Sequence, residues 1–161
     1  MRIYSEVGAG TTMCLYLPRY FGDVDEHPDD APRETMEAGD GETVLVVDDE
    51  AILRMLMLDI LQDNGYRALE ASDGPSALKI LESDARVDLL ITDVGLPGGM
   101  NGRQVADAAR RKRPDLKVLF ITGYAENAVV GNGHLAPGME IVAKPFEIAT
   151  FGQKVRDIIE R

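Results

Sequence analysis

Cysteine occurs once in this chain of 161 residues, as Cys14. A single cysteine excludes an internal disulfide framework, and without CxxC or Cys/His company it also excludes the common thiolate metal sites. Cys14 reads as a small strand residue. Long hydrophobic runs are also missing. The apolar stretches are about strand length, far short of the roughly 20 residues a membrane-spanning helix needs, and the start lacks the basic-then-apolar pattern of a secretory signal. The expectation is a soluble, cytoplasmic protein with no membrane contact in this stretch of chain. Basic residues are the third shortage, 17 against 28 acidic ones, for a net charge of -11. That balance argues against a nucleic-acid partner.

Most of the acidity has one address. Between Phe21 and Glu42 nine acids (Asp23, Asp25, Glu26, Asp29, Asp30, Glu34, Glu37, Asp40 and Glu42) face one base, Arg33, a balance of -8. With Pro28, Pro32 and three glycines and almost no large apolar residue, this stretch buries too little surface to offset its ordering entropy. Residues 21–42 are expected to form a flexible linker. Ahead of it, Ile3 to Val7, the Gly8-Ala9-Gly10 turn and Thr11 to Leu17 read as a β-hairpin. A lone hairpin is marginal in water, so it either packs on the main domain or belongs to something larger.

From Thr43 to Arg161 short β-branched runs alternate with amphipathic segments of helical period. That alternation predicts one α/β domain built on a doubly wound parallel sheet. The strands are expected at Thr43 to Val47, Arg67 to Ala71, Asp88 to Thr92, Lys117 to Ile121 and Glu140 to Ala143. The helices are expected at Ala51 to Asn64, Gly74 to Ser83, Gly102 to Lys112, Ala125 to Val130 and Glu147 to Glu160. Gly65, Asp73 and Pro114 supply a stop, a cap and a second stop.

Four of these strands end in side chains suited to one reaction: Asp48 and Asp49, Asp93, Thr122, and Lys144. Side chains just past the carboxyl ends of neighbouring parallel strands converge at one edge, where open α/β folds place ligands. Two carboxylates about 4 Å apart repel by roughly 4 kcal/mol at an effective dielectric near 20, so the Asp trio calls for a cation. All-oxygen ligation by a few carboxylates suits Mg²⁺. Lys144 then offers a point charge, and Thr122 a hydroxyl, to phosphoryl oxygens. Without a glycine-rich phosphate loop, the set suits an aspartyl-phosphate intermediate with Asp93 as nucleophile. An Asp pair at a strand-to-helix junction can equally be a helix cap, so the conjunction of four strand ends carries the reading.

The stretches VLVVDDE, LLITDVGLP, VLFITGY and VAKPF, in that order, resemble the response-regulator receiver domain of two-component signalling. The resemblance implies a flavodoxin-like fold of strand order 2-1-3-4-5 and a phosphoacceptor rather than an enzyme. It further implies that Asp93 takes phosphate from a phospho-histidine on a histidine kinase or histidine phosphotransfer protein. Asp49, Asp93 and the Gly95 carbonyl would hold Mg²⁺ with Asp48 assisting, Thr122 and Lys144 would read the phosphoryl group, and the Lys144–Pro145 peptide would be cis. Two departures follow. Ile141 replaces the aromatic residue common three positions before the lysine. The loop from Gly95 to Gly102 is one glycine longer than the common form. Gly95 and Tyr124 offer no amide or carboxylate to orient a hydrolytic water, which predicts slow autodephosphorylation.

The segment RIYSEVGAGTTMCLYLPRY resembles the closing hairpin of a sensor histidine kinase ATP-binding domain, with Gly8 and Gly10 at its last glycine box. That implies a chain made of the kinase remnant 1–20, the linker 21–42 and the receiver 43–161: the tail of a hybrid kinase with no output domain after the last helix. The asparagine box and DxGxG element are absent, and neither His27 nor His134 has a helical phosphoacceptor context. On the first helix, Ile52, Leu53, Leu56, Met57, Ile60 and Leu61 share one half, taking about 100° per residue. Met55 and Leu58 fall on the outward half and are the expected docking pair for a phosphodonor. An aspartyl-phosphate phosphohydrolase is the enzyme rival, but Asp93-Val94-Gly95 lacks the second acid of its DxD motif. A scaffold with vestigial phosphorylation is the other.

Overall fold

The computed structural model describes residues 2–8, 10–14, 16, 41–123 and 135–161. The chain falls into two units, residues 1–34 and 35–161. In the first, β1 (Arg2–Glu6) pairs antiparallel with β2 (Gly10–Cys14), Glu6 facing Gly10 and Arg2 facing Cys14. The reversal needs positive φ, which Gly8 (84°) and Gly10 (105°) adopt without a Cβ penalty. Ser5 and Thr11 hydroxyls meet across the ladder at 2.8 Å, while Ile3, Tyr4 and Val7 are exposed.

The second unit runs β3 (Thr43–Val47), α1 (Ala51–Asp63), β4 (Arg67–Ala71), α2 (Gly74–Glu82), β5 (Leu89–Asp93), α3 (Gly102–Lys112), β6 (Lys117–Thr122), β7 (Met139–Ala143) and α4 (Ile148–Glu160). All four strand pairs are parallel, and the order is β4-β3-β5-β6-β7. This is the expected 2-1-3-4-5 winding. Successive strand side chains point to opposite faces, and here both faces are covered. Leu45, Val47, Leu90, Val118 and Phe120 pack with Ala77, Leu81, Val105, Ala106 and Ala109 of α2 and α3. Val44, Val46, Leu89, Ile91, Leu119 and Ile121 pack with Met57, Ile60, Leu61, Phe151, Val155 and Ile158 of α1 and α4. Strands buried on both sides are largely apolar, which is why Val44 to Val47 of β3 and Leu89 to Ile91 of β5 are continuous hydrophobic runs.

The expected punctuation holds. Gly65 follows α1 at φ 84°, the Asp73 carboxylate accepts the Ser76 N–H at 2.7 Å, and Arg113 caps α3 just before Pro114. Asn101 and Gln104 add a reciprocal capping box at the start of α3. Some boundaries move by a residue. Asp88 precedes β5 and instead pins the start of β3, its carboxylate accepting the Thr43 N–H at 2.8 Å. Ladder pairing carries Asp93 and Thr122 as the last residues of β5 and β6. The expected helix at 125–130 and most of the expected linker lie outside the described residues.

Candidate functional site

The winding reverses between β3 and β5: the chain leaves β3 for β4 on one side and returns to β5 on the other. Crevices open at such a reversal, beyond the carboxyl ends of the two strands. Asp48 and Asp49 follow β3 and Asp93 ends β5, so the three carboxylates flank that crevice from both sides. One oxygen from each lies within 4.8 Å of the others. Asp48 is wholly buried, Asp93 nearly so, and Asp49 exposed.

Lys144, just past β7, reaches across the end of β6 to this trio. Its Nζ stands 3.2 Å from Asp48 Oδ2 and 3.4 Å from Asp93 Oδ2. Burial alone pushes the ammonium's pKa down, but the charges and hydrogen bonds of Asp48 and Asp93 outweigh it, so the pKa stands above its ordinary 10.5. Lys144 is therefore a fixed positive charge at neutral pH. Its backbone N–H donates to the Thr122 carbonyl at 2.7 Å, which places the ends of β6 and β7 side by side, and Thr122 is fully buried. The Lys144–Pro145 peptide is cis.

Three carboxylates and one ammonium leave these four side chains a formal net charge of two negatives. Clustered hard oxygen donors with excess negative charge match a small divalent cation, and the exposure of Asp49 leaves room for water in its shell. The arrangement can hold a cation, offer a carboxylate as nucleophile, and present positive charge to an anion.

Two residues near the site carry no motif. The guanidinium of Arg54 on α1 donates to the Asp48 carbonyl at 2.7 Å and to the Glu70 carboxylate at 2.8 Å. Gly102 opens α3 directly behind Asp93, and a Cβ there would overlap the Asp93 carbonyl oxygen and press to 2.7 Å from Thr92 Oγ1. Glycine is a poor helix former, so its place at the first helical position was the available signal. Gly98 and Gly99 in the preceding loop adopt φ of 87° and 90°, a path suited to the glycine-rich insertion. Gly95 is exposed, Ile141 is half-buried against the α2/α3-side core, and Tyr124 lies outside the described residues.

The outward face of α1 differs from expectation. Ile52 (76%), Met55 (59%) and Leu56 (39%) are exposed, while Leu58 is partly buried against the α1/α4-side core. The buried arc is turned by about 40° from the expected half, at about 100° per residue. It is centred on Leu53, Met57, Ile60 and Leu61 because α1 also packs beside α4. Met55 keeps its outward place; Leu58 is a margin residue.

The response regulator receiver domain family matches residues 44–156. The sensor kinase CckA of Brucella abortus is 34% identical over 98% of this chain, which spans only 17% of that protein's length. A receiver protein of Sinorhizobium medicae superposes with a TM-score of 0.68 at 32% identity, covering 75% of this chain and 96% of the other. The response regulator TrrA of Thermotoga maritima, solved with Mg²⁺ and a beryllofluoride, gives a TM-score of 0.62 at 31% identity over 73% and 98% of the two chains. The chain belongs to the response regulator receiver family. It is a signalling domain with a phosphoacceptor role in two-component signalling, and receiver domains of this kind meet histidine kinases or phosphotransfer proteins. Among the described residues no helix is long and apolar enough to cross a membrane.

Proposed function

We propose that Asp93 is the phosphoacceptor. The convergence of Asp48, Asp49, Asp93 and Lys144 at the sheet's point of reversal carries this reading. One carboxylate oxygen of Asp93 attacks the phosphorus of a phospho-histidine in line. The new O–P bond forms as the P–N bond breaks, and its electron pair returns to the imidazole nitrogen. The Lys144 ammonium and the Thr122 hydroxyl receive the phosphoryl oxygens. Asp49, Asp93 and the Gly95 carbonyl would hold Mg²⁺, with Asp48 assisting. Bound there, the ion supplies positive charge against the carboxylates and the transferred group. The three clustered acids fit it, and TrrA was solved with Mg²⁺.

The test is intact mass after incubation with acetyl phosphate, with and without Mg²⁺. Wild type should gain one phosphoryl group only when Mg²⁺ is present, and Asp93→Asn none. Equal gain by both proteins would sink the assignment. Gly95 has no side chain to orient a hydrolytic water, so the phosphorylated form should outlast a half-life of seconds.

The chain is further read as part of a hybrid kinase: residues 1–20 from the end of the ATP-binding domain, 21–42 a linker, and 43–161 the receiver. Similarity to the Brucella sensor kinase extends over 98% of the chain, which a match confined to residues 44–156 would not supply. The phosphodonor docks on α1 through Met55, flanked by exposed Ile52 and Leu56, with Leu58 at the margin. Met55→Glu should slow transfer from a phospho-histidine protein and leave acetyl phosphate labelling unchanged. Equal slowing with both donors would remove α1 as the dock.

A further inference from the structure

Asp48 is engaged at each polar group. Its N–H donates to the Ala71 carbonyl at 3.3 Å, Oδ1 accepts the Glu50 N–H at 2.8 Å, and Oδ2 accepts Lys144 Nζ at 3.2 Å. The remaining group, its carbonyl, lies past the end of β3 and takes Arg54 Nη1 at 2.7 Å. The same guanidinium donates from Nε to Glu70 Oε2 at 2.8 Å, and Glu70 sits on the edge strand β4. Arg54 is largely covered, its side chain 16% exposed. A guanidinium is a rigid plane of five donors, so contacts at two of them set its orientation and thereby that of its acceptors. One side chain thus ties α1, the exit of β3 and the edge strand together.

The Asp48 carbonyl and the Asp49 N–H belong to one planar peptide. Holding the oxygen therefore sets the plane from which the Asp49 Cα and its side chain depart. Asp49 is the exposed member of the trio, the one whose aim packing constrains least. We propose that Arg54, stayed by Glu70, is a positioning residue for the cation site: it fixes the Asp48–Asp49 peptide and so directs the Asp49 carboxylate toward Asp93. This rests on the reading of Asp48, Asp49 and Asp93 as a Mg²⁺ site. Arg54 donates to a ligand's backbone and touches no reacting atom. A purely structural Arg54 would hold α1 to the sheet, and its loss would lower thermal stability without altering metal affinity.

The test titrates MgCl₂ alone into the full chain by calorimetry, for wild type, Arg54→Ala, Arg54→Lys and Asp49→Ala, with melting temperatures alongside. Partners behind metal ligands typically alter affinity by roughly 10–100-fold, so Arg54→Ala should raise the Mg²⁺ Kd by about tenfold or more. Arg54→Lys keeps the charge but lacks the rigid planar fork that orients two acceptors at once, so it should fall between. Acetyl phosphate labelling should need more Mg²⁺ for half-maximal rate while the rate at saturating Mg²⁺ stays at the wild-type level. Arg54 variants that bind Mg²⁺ within about twofold of wild type, whatever their melting temperatures, would overturn the proposal. Should Arg54→Ala not fold, the lysine variant decides on the same criterion. Asp49→Ala binding Mg²⁺ as tightly as wild type would instead overturn the metal site itself, and with it this role for Arg54.

Discussion

At the amino-terminal edge of the sheet, Glu42, Asp88 and Asp115 share a cleft of about 520 Å³ with Arg86, Arg113 and Lys117. At the carboxyl edge, three acids meet one lysine. The first edge is balanced in formal charge, and four of its six groups are spent on structure. Asp88 takes the Thr43 N–H and Arg86, Arg113 donates to the Ser83 and Ala85 carbonyls, and Lys117 donates to the Ile159 carbonyl at 2.7 Å. The second edge keeps a formal excess of two negative charges, with Asp48 and Asp93 buried and Asp49 exposed. Uncompensated charge is costly unless a ligand relieves it. Charge balance, and not the size of a hollow, separates the edge that closes the fold from the edge that works.

The sharpest way to test this contrast is to add Mg²⁺. At a hundredfold excess over Kd, a ligand bound only by the folded state stabilises it by about 2.7 kcal/mol. Wild type should show a gain of that order in denaturant or thermal unfolding. Asp49→Asn should lose the gain yet be more stable without metal, by on the order of 1 kcal/mol, since removing one exposed like charge relieves a partly screened repulsion. An Asp49→Asn protein that is less stable without metal would break the contrast, because it would mean that the trio is already compensated.

Next in size is Gly102→Ala. The added Cβ must displace the Asp93 backbone or helix α3, and overpacking of this kind costs about 1–3 kcal/mol. Acetyl phosphate labelling should slow as well, because the Asp93 backbone itself is moved. Wild-type labelling in a destabilised variant would show that the site tolerates a displaced strand end. At the opposite edge, Arg113→Ala should cost about 1–2 kcal/mol through two lost charge-assisted hydrogen bonds and leave both Mg²⁺ affinity and labelling untouched. Any change in Mg²⁺ affinity there would erase the division of labour.

The smallest effect is expected at alkaline pH. The folded-state pKa of Lys144 is raised, so its contribution to stability is fully present below about pH 10.5 and is lost as pH climbs through the higher folded value. Lys144→Met should flatten that part of the stability curve. A profile unchanged by the substitution would remove the ammonium from the charge balance of the working edge.

Much of this was legible along the chain because the relevant signals are local. Apolar alternation and β-branched runs placed all five strands of the sheet to within a residue, and Asp73, Gly65 and Pro114 marked helix ends through chemistry contained in a single turn. Asp48, Asp49, Asp93, Thr122 and Lys144 were legible because each immediately follows or ends such a run. Leu58 was misplaced, since a helical wheel knows its own faces but not that α4 would cover one flank of α1. Arg54 and Gly102 went unread for a related reason. A surface-type arginine and a helix-opening glycine acquire meaning only from a carbonyl brought near by another element.

The amino-acid order by itself therefore determined the elements, their two-sided burial and the presence of acids, hydroxyl and lysine at strand ends, because each depends on residues within a few positions of one another. The tertiary structure alone decided that β3 and β5 would stand side by side at the reversal of the winding, bringing Lys144 and Asp48, 96 positions apart, to 3.2 Å. It likewise decided which helix face stays bare and which guanidinium reaches the Asp48 carbonyl. Electrostatic repulsion, metal affinity and close packing all depend on distance through space, and that distance is set by how the sheet is wound rather than by separation along the chain.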